Sequence, residues 1–256
     1  MSGFSPLQLA GLGAFVFFAG AVDALAGGGG LISLPAFLAF GLDPALLLGT
    51  NKLMAGFGTS AAVAGYWRKL RLPIAPMLPV VAATVVGSLI GAGLTLLLDP
   101  AWLKPALLVA MPLLLAALYT HPHWAERDDT ARFSERELAV RASSAGAAIG
   151  AYDGFFGPGT GTFFALALAR FCRYGLLGAT ARAKLLNLAS NMGALAAFLW
   201  SGRVHWRLGL LMGAANVAGN VAGARLGVKG GAKAIRPALV AVCAGLFVKL
   251  AFDLWR

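Results

Sequence analysis

Two short stretches carry the residues whose types and spacing could do chemistry. Asp23 is followed by Gly27, Gly28, Gly29 and Gly30, and Asp153 by Gly157, Gly159 and Gly161, with Pro158 and Thr160 interleaved. One offset of 130 residues carries Asp23 onto Asp153, Gly27 onto Gly157 and Gly29 onto Gly159. Each glycine costs a helix interior about 1 kcal/mol relative to alanine, so four in a row should break it. In apolar surroundings the freed N–H and C=O groups must then face protein or water. Amides exposed at the start of a helix make a ready anion site. The plainer use of such glycines is close helix packing, but recurrence, each time beginning four residues after an aspartate, favours a site.

The charges that could serve it are few. Thr180, Lys184, Asn187 and Asn191 recur at spacings of four, three and four and so form one polar stripe on an otherwise apolar helix from Gly178 to Trp200. A lysine at the centre of a membrane segment costs roughly 2.5–3.5 kcal/mol, which calls for a partner or a ligand. Snorkelling to the headgroups, or a structural pair with Asp153, is the alternative. The corresponding first-half segment, opened by Gly49, offers Thr50, Asn51, Lys52, Thr59 and Ser60; Lys52 aligns with Arg182 at an offset of 130 and with Lys184 at 132, the favoured match. Asp23 and Asp153 would repel an anion. They are read as anchors accepting hydrogen bonds from loose backbone amides, with proton coupling as the alternative. Thr84 and Ser88, matched by Asn216 and Asn220, read as hydrogen bonds between helices, with lining of a pathway the minority use.

The elements that position these residues follow from composition. The 256 residues are 59% hydrophobic and only 12% charged, with a mean hydropathy of +0.78, against about 25% charged in soluble domains. Runs such as Leu7 to Ala26 and Ile74 to Leu98 meet the ~20 residues a bilayer core requires. The expectation is an all-α, polytopic transmembrane protein of about 7–8 spans, built as two homologous repeats each with a glycine-broken helix. Repeat 1 covers residues 1–120, a polar, partly helical connector 121–141, and repeat 2 residues 142–256. Small-xxx-small pairs, Gly87 with Gly91 and Gly219 with Gly223, read as packing devices. Gly41 to Pro44 reads as a turn, and the first apolar run as a span rather than a signal peptide, because no basic residue precedes it and its counterpart is internal.

The formal net charge of +11 is spread over short loops such as Arg68 to Arg71 and Lys229 to Arg236, which suits lipid headgroups rather than nucleic acid. Four spans per half would point both halves the same way, and an odd number would overturn that. His121, His123 and His205 all lie outside the apolar runs, which argues against an intramembrane hydrolase. The only cysteines, Cys172 and Cys243, are far apart, so neither a disulfide nor a metal framework is implied, and no cofactor is expected.

Asp23 to Pro35, Gly49 to Lys52 and Tyr152 to Gly161 together resemble the sulfite exporter TauE/SafE family, as do Ala183 to Asn187 and Ser190-Asn191. The resemblance covers nearly the whole chain. It implies a multi-pass transporter of the inner or plasma membrane, not an enzyme, whose substrates are sulfite, other sulfur oxyanions or small organosulfonates. By position it marks Gly27 to Gly30, Lys52, Gly157 to Gly161, Lys184 and Asn187 as the site region. To these the polar stripe and its counterpart add Asn191 and Asn51. Coupling to protons or another ion, and homo-oligomerisation, stay open. So do the alternatives of another small oxyanion or carboxylate as substrate, or a non-catalytic membrane subunit.

Overall fold

The structure is a computed structural model that describes residues 4–120 and 128–228, together with Phe252. The basic run Lys229 to Arg236, His121, His123, Cys243 and, apart from Phe252, the expected last segment from Ala238 to Trp255 lie outside the described residues. Within them the protein is all-α. The helices are α1 (Pro6–Ala26), α2 (Gly30–Ala39), α3 (Pro44–Leu70), α4 (Leu78–Leu96), α5 (Leu103–Thr120), α6 (Glu135–Phe155), α7 (Thr160–Phe171), α8 (Leu176–Trp200) and α9 (Trp206–Val228).

Local chemistry sets the helix starts. Ser5 caps α1 and Ser134 caps α6, each in a reciprocal capping box with Gln8 or Glu137. Asp43 caps α3 by accepting from the Ala45 amide at 2.8 Å, with Pro44 as its first residue. The expected opening of that helix at Gly49 is therefore corrected. Pro44 belongs to the helix and not to the turn. Helix α6 likewise begins inside the expected connector, at Glu135. Asp128 ties the connector to the α7–α8 turn. Burial alone would raise its carboxyl, but hydrogen bonds from the Thr130 hydroxyl (2.6 Å) and from the Thr130 and Gly175 amides hold it below the usual carboxylate range.

Neighbouring residues fix the directions. Phe17 and Ala21 of α1 meet Gly219 and Gly223 of α9, and Leu53 and Phe57 of α3 meet Gly209 and Gly213. Helices α1, α3 and α9 thus run one way. Gly87 and Gly91 of α4 meet Ala147 and Ala151 of α6, while Gly49 and Gly56 of α3 meet Phe198 and Met192 of α8 in reverse order. Helices α4, α6 and α8 therefore run the opposite way. Helix α2 folds back along α1, where Phe40 packs on Gly11 and Phe15, and α7 folds back along α6, where Arg141 donates to the Phe171 carbonyl. The two glycine-broken helices thus point in opposite directions, against the expectation from four spans per half. The cause is the return of α2, which makes α6 the sixth helix of the chain rather than the fifth.

The small-residue pairs do pack helices, as expected: a side chain at Gly87 or Gly91 would overlap the carbonyl of Ala147 or Ala151. Gly91→Val is expected to cost about 1–3 kcal/mol in thermal unfolding, the usual penalty of overpacking. Gly93→Ala, which meets nothing within 4 Å, should gain up to about 1 kcal/mol.

Outside this core the surface is apolar. Leu78, Val86, Ile90 and Leu94 along α4, Leu97 just after it, and Val109 and Leu113 on α5 are exposed, a pattern that suits lipid rather than water. By length and composition, Pro6–Leu25 and Ala75–Leu96 qualify as membrane spans among the described residues. Helices α3, α8 and α9 have the length but carry buried polar side chains, including Lys52, Lys184 and Asn216.

Candidate functional site

Both glycine clusters break their helices. Gly27 ends α1 in the left-handed region (φ 75°), its amide donating to the Asp23 carbonyl at 2.8 Å, and α2 starts at Gly30. In the second copy Gly157 (φ 94°) and Gly159 (φ 77°) turn the chain between α6 and α7. Glycine adopts these angles without the steric cost any other residue meets there. The two breaks abut: a side chain at Gly27 would overlap the backbone of Gly161 and Thr162, and Gly30 faces Pro158. The starts of α2 and α7 therefore lie side by side. Gly30 and Gly161 leave their amides without a protein acceptor among the described residues, as first-turn amides do.

Two buried lysines flank this junction, each paired with the aspartate of the other half. Lys52 on α3 lies 2.6 Å from Asp153 on α6, and Ser190 donates to the same carboxylate oxygen at 2.6 Å. Lys184 on α8 donates to the backbone carbonyl of Asp23 and sits 3.3 Å from its carboxylate. Both alternatives weighed for Lys184 fall, and the role expected of the carboxylates changes. Lys184 does not snorkel, being 1% exposed. Asp153 pairs with Lys52 rather than Lys184. The carboxylates hold lysine ammonium groups instead of loose loop amides. Lys52 and Lys184 each pair with an aspartate that precedes a glycine break. Arg182 instead lies over the Tyr174 ring.

Between the breaks lies a narrow polar cavity of ≈ 30 Å³, room for about two water molecules. It brings together many of the residues expected from sequence: Asp23, Gly27, Gly29 and Gly30 from the first break, and Asp153, Gly157, Thr160 and Gly161 from the second. Asn51 and Lys52 reach it from α3, Asn187 and Asn191 from α8. Gly28, Gly159 and Lys184 do not line it. Gly28 faces Val22 and Leu31, and Lys184 stands behind Asp23, fixing the end of α1.

Sequence reasoning missed Ser33, Met54 and Ala55 and gave Asn216 only a minority role, yet all four line the cavity. Ser33 donates to Asn51 at 2.6 Å, a contact no local pattern announces. Of the paired polar positions, Ser88 bonds across to the Ser190 carbonyl and Asn216 to that of Val16, as expected. Thr84 and Asn220 bond within their own helices. Among the described residues no group of three or more His, Cys, Asp or Glu side chains is arranged to hold a metal ion.

Helix hairpins meeting tip to tip, with exposed amides and buried cations at the junction, define a class of protein that carries small solutes through a membrane. Residues 12–250 match the sulfite exporter TauE/SafE family, and the chain belongs to it. It is 39% identical over 240 residues to probable membrane transporter protein ORF9 of a Sinorhizobium species, covering 93% of this chain and 90% of that one. It is 38% identical to probable membrane transporter protein YfcA of Escherichia coli K12, covering 97% and 91%, and 36% identical to a probable membrane transporter protein of Haemophilus influenzae, covering 93% and 92%. No solved structure matches. The protein is thus a membrane transporter of this family and resides in a membrane.

Proposed function

We propose that the protein is a secondary active transporter of a small sulfur-containing anion, sulfite or a short organosulfonate, across the inner or plasma membrane, which it crosses several times. The observation that carries this reading is Lys52, a cation 3% exposed, lining a polar cavity where two helix starts converge. A buried ammonium and unpaired helix-start amides attract an anion and supply charge-assisted hydrogen bonds to its oxygens. Asn51, Asn187 and Asn191 add donors, while Gly27, Gly29, Gly30, Gly157, Thr160 and Gly161 let the backbone approach the anion closely. Gly28 and Gly159 shape the turns, and Lys184 holds the first break against the second half.

Residues 1–120 and 142–256 act as two oppositely directed repeats, joined by the connector 121–141. The crossed pairs Lys52–Asp153 and Lys184–Asp23 join the repeats across the cavity. The cavity as it stands is too small for an organosulfonate, so loading requires the repeats to part and reclose around the anion. An ion gradient drives that alternation.

The test is uptake of labelled sulfite and of methanesulfonate into proteoliposomes under an imposed gradient. Gradient-dependent accumulation is expected, at least tenfold above protein-free liposomes. Equal counts in both, with folded protein in the membrane, would refute transport of these anions. Accumulation of a carboxylate alone would move the substrate class.

A further inference from the structure

The two crossed ion pairs are unequal, and the inequality has a functional reading that rests on the anion-transport proposal. Asp153 is 2% exposed and held by two donors, Lys52 and Ser190, both at 2.6 Å. Asp23 is 13% exposed, lines the cavity, and keeps Lys184 at 3.3 Å from one carboxylate oxygen only. Its other oxygen has no partner among the described residues. Lys184 bonds to the Asp23 backbone carbonyl as well, so it stays in place whatever the charge of the side chain.

Charge balance then decides what an arriving anion requires. The formal charges of Lys52, Lys184, Asp23 and Asp153 sum to zero. A monovalent anion makes that sum −1 in a buried space, where uncompensated charge is costly. We propose that Asp23 takes up one proton as the anion binds, on the carboxylate oxygen that Lys184 does not hold, and presents the resulting O–H to the anion as a donor. Repulsion becomes a hydrogen bond, and anion and proton cross together without net charge. Asp153 is the poorer proton acceptor: it is more deeply buried, and two short donor contacts, from Lys52 and Ser190 to the same oxygen, favour its ionised form. The other titratable groups around Asp23 are Lys184 from α8, Tyr66 from α3, whose hydroxyl donates to the Ala24 carbonyl at 3.1 Å, and Lys52 and Asp153 across the cavity. Helices α2, α7 and α9 bring none to this point.

Methanesulfonate, a monovalent anion at every pH of interest, is the probe. Calorimetric titration of the purified full-length transporter in two buffers of different ionisation enthalpy counts protons taken up per anion, with about one expected. Wherever the free carboxylate is ionised, each unit rise in pH should weaken methanesulfonate binding about tenfold. Asp23→Asn supplies a permanent donor, so it should bind with a proton count near zero and a flat pH profile. Ser190→Ala, which loosens Asp153 instead, should keep the count of one. A count of zero in the wild-type protein, or an unchanged count in Asp23→Asn, overturns the assignment while leaving anion transport standing. Absence of methanesulfonate binding at any pH, together with absent flux of every anion, removes the transport reading and this one with it. Should Asp23→Asn not fold, the wild-type proton count still decides whether binding takes up a proton. Wild-type flux should then show the same dependence, with a pH gradient alone driving methanesulfonate accumulation without a membrane potential.

Discussion

Lys52→Met is expected to abolish gradient-driven anion uptake and to destabilise the protein together. Lys52 and Asp153 are 3% and 2% exposed at 2.6 Å. Removing the ammonium leaves a carboxylate in a space where an unpaired charge costs about 3–5 kcal/mol. That loss reads out in thermal unfolding of the detergent-solubilised protein. Uptake should fall at least about thirtyfold, since truncating one partner of a buried charged contact costs about 2–5 kcal/mol and each 1.4 kcal/mol is tenfold. The double variant Lys52→Met/Asp153→Leu separates the effects. It removes both charges, so stability should return towards wild type, whereas uptake should not. If the double variant transports normally, Lys52 is only a strut and the anion finds its charge elsewhere.

Gly27→Ala should be the most damaging of the small substitutions. Gly27 sits at φ 75°, which costs an L-residue roughly 1–2 kcal/mol. Its new methyl would overlap the Gly161 and Thr162 backbone, adding about 1–3 kcal/mol of overpacking or pushing the two breaks apart. A loss of about 2–5 kcal/mol in thermal unfolding is expected. Gly28→Ala is the control one residue away. Its nearest neighbours, Val22 and Leu31, stand at 3.7 and 3.8 Å, so the change should stay within about 1 kcal/mol. Equal losses at both positions would mean that the glycines act by flexibility rather than by the contact between breaks.

The breaks themselves were readable because glycine clusters act locally: helix propensity alone stops α1 at Ala26 and α6 at Phe155. The polar stripe on α8 was readable for the same reason, as periodicity needs only neighbours in sequence. What binds that stripe was not. Lys184 meets Asp23 across a separation of 161 residues, and nothing near either residue says which aspartate each lysine will reach. Direction was hidden too, because the ten residues of α2 could have continued α1 or returned along it. Only packing of Phe40 against Gly11 and Phe15 settles it. Two signals were present and misread: Asp43-Pro44 is a capped helix start, and Asn216 had the spacing of a lining residue.

The crossed pairing also bears on how the chain is made. Synthesis proceeds from the N-terminus, so Asp23 and Lys52 enter the membrane while their partners on α8 and α6 do not yet exist. A lysine at the centre of a membrane segment costs roughly 2.5–3.5 kcal/mol, so with α3 spanning the bilayer as proposed, that helix bears the cost until Asp153 arrives. Both pairs can close only once α6 and α8 have been made, so this docking waits for late translation. Ribosome pauses placed after α8 would let assembly finish, whereas a chain released before α6 would expose charge to lipid and be a natural target for membrane proteases.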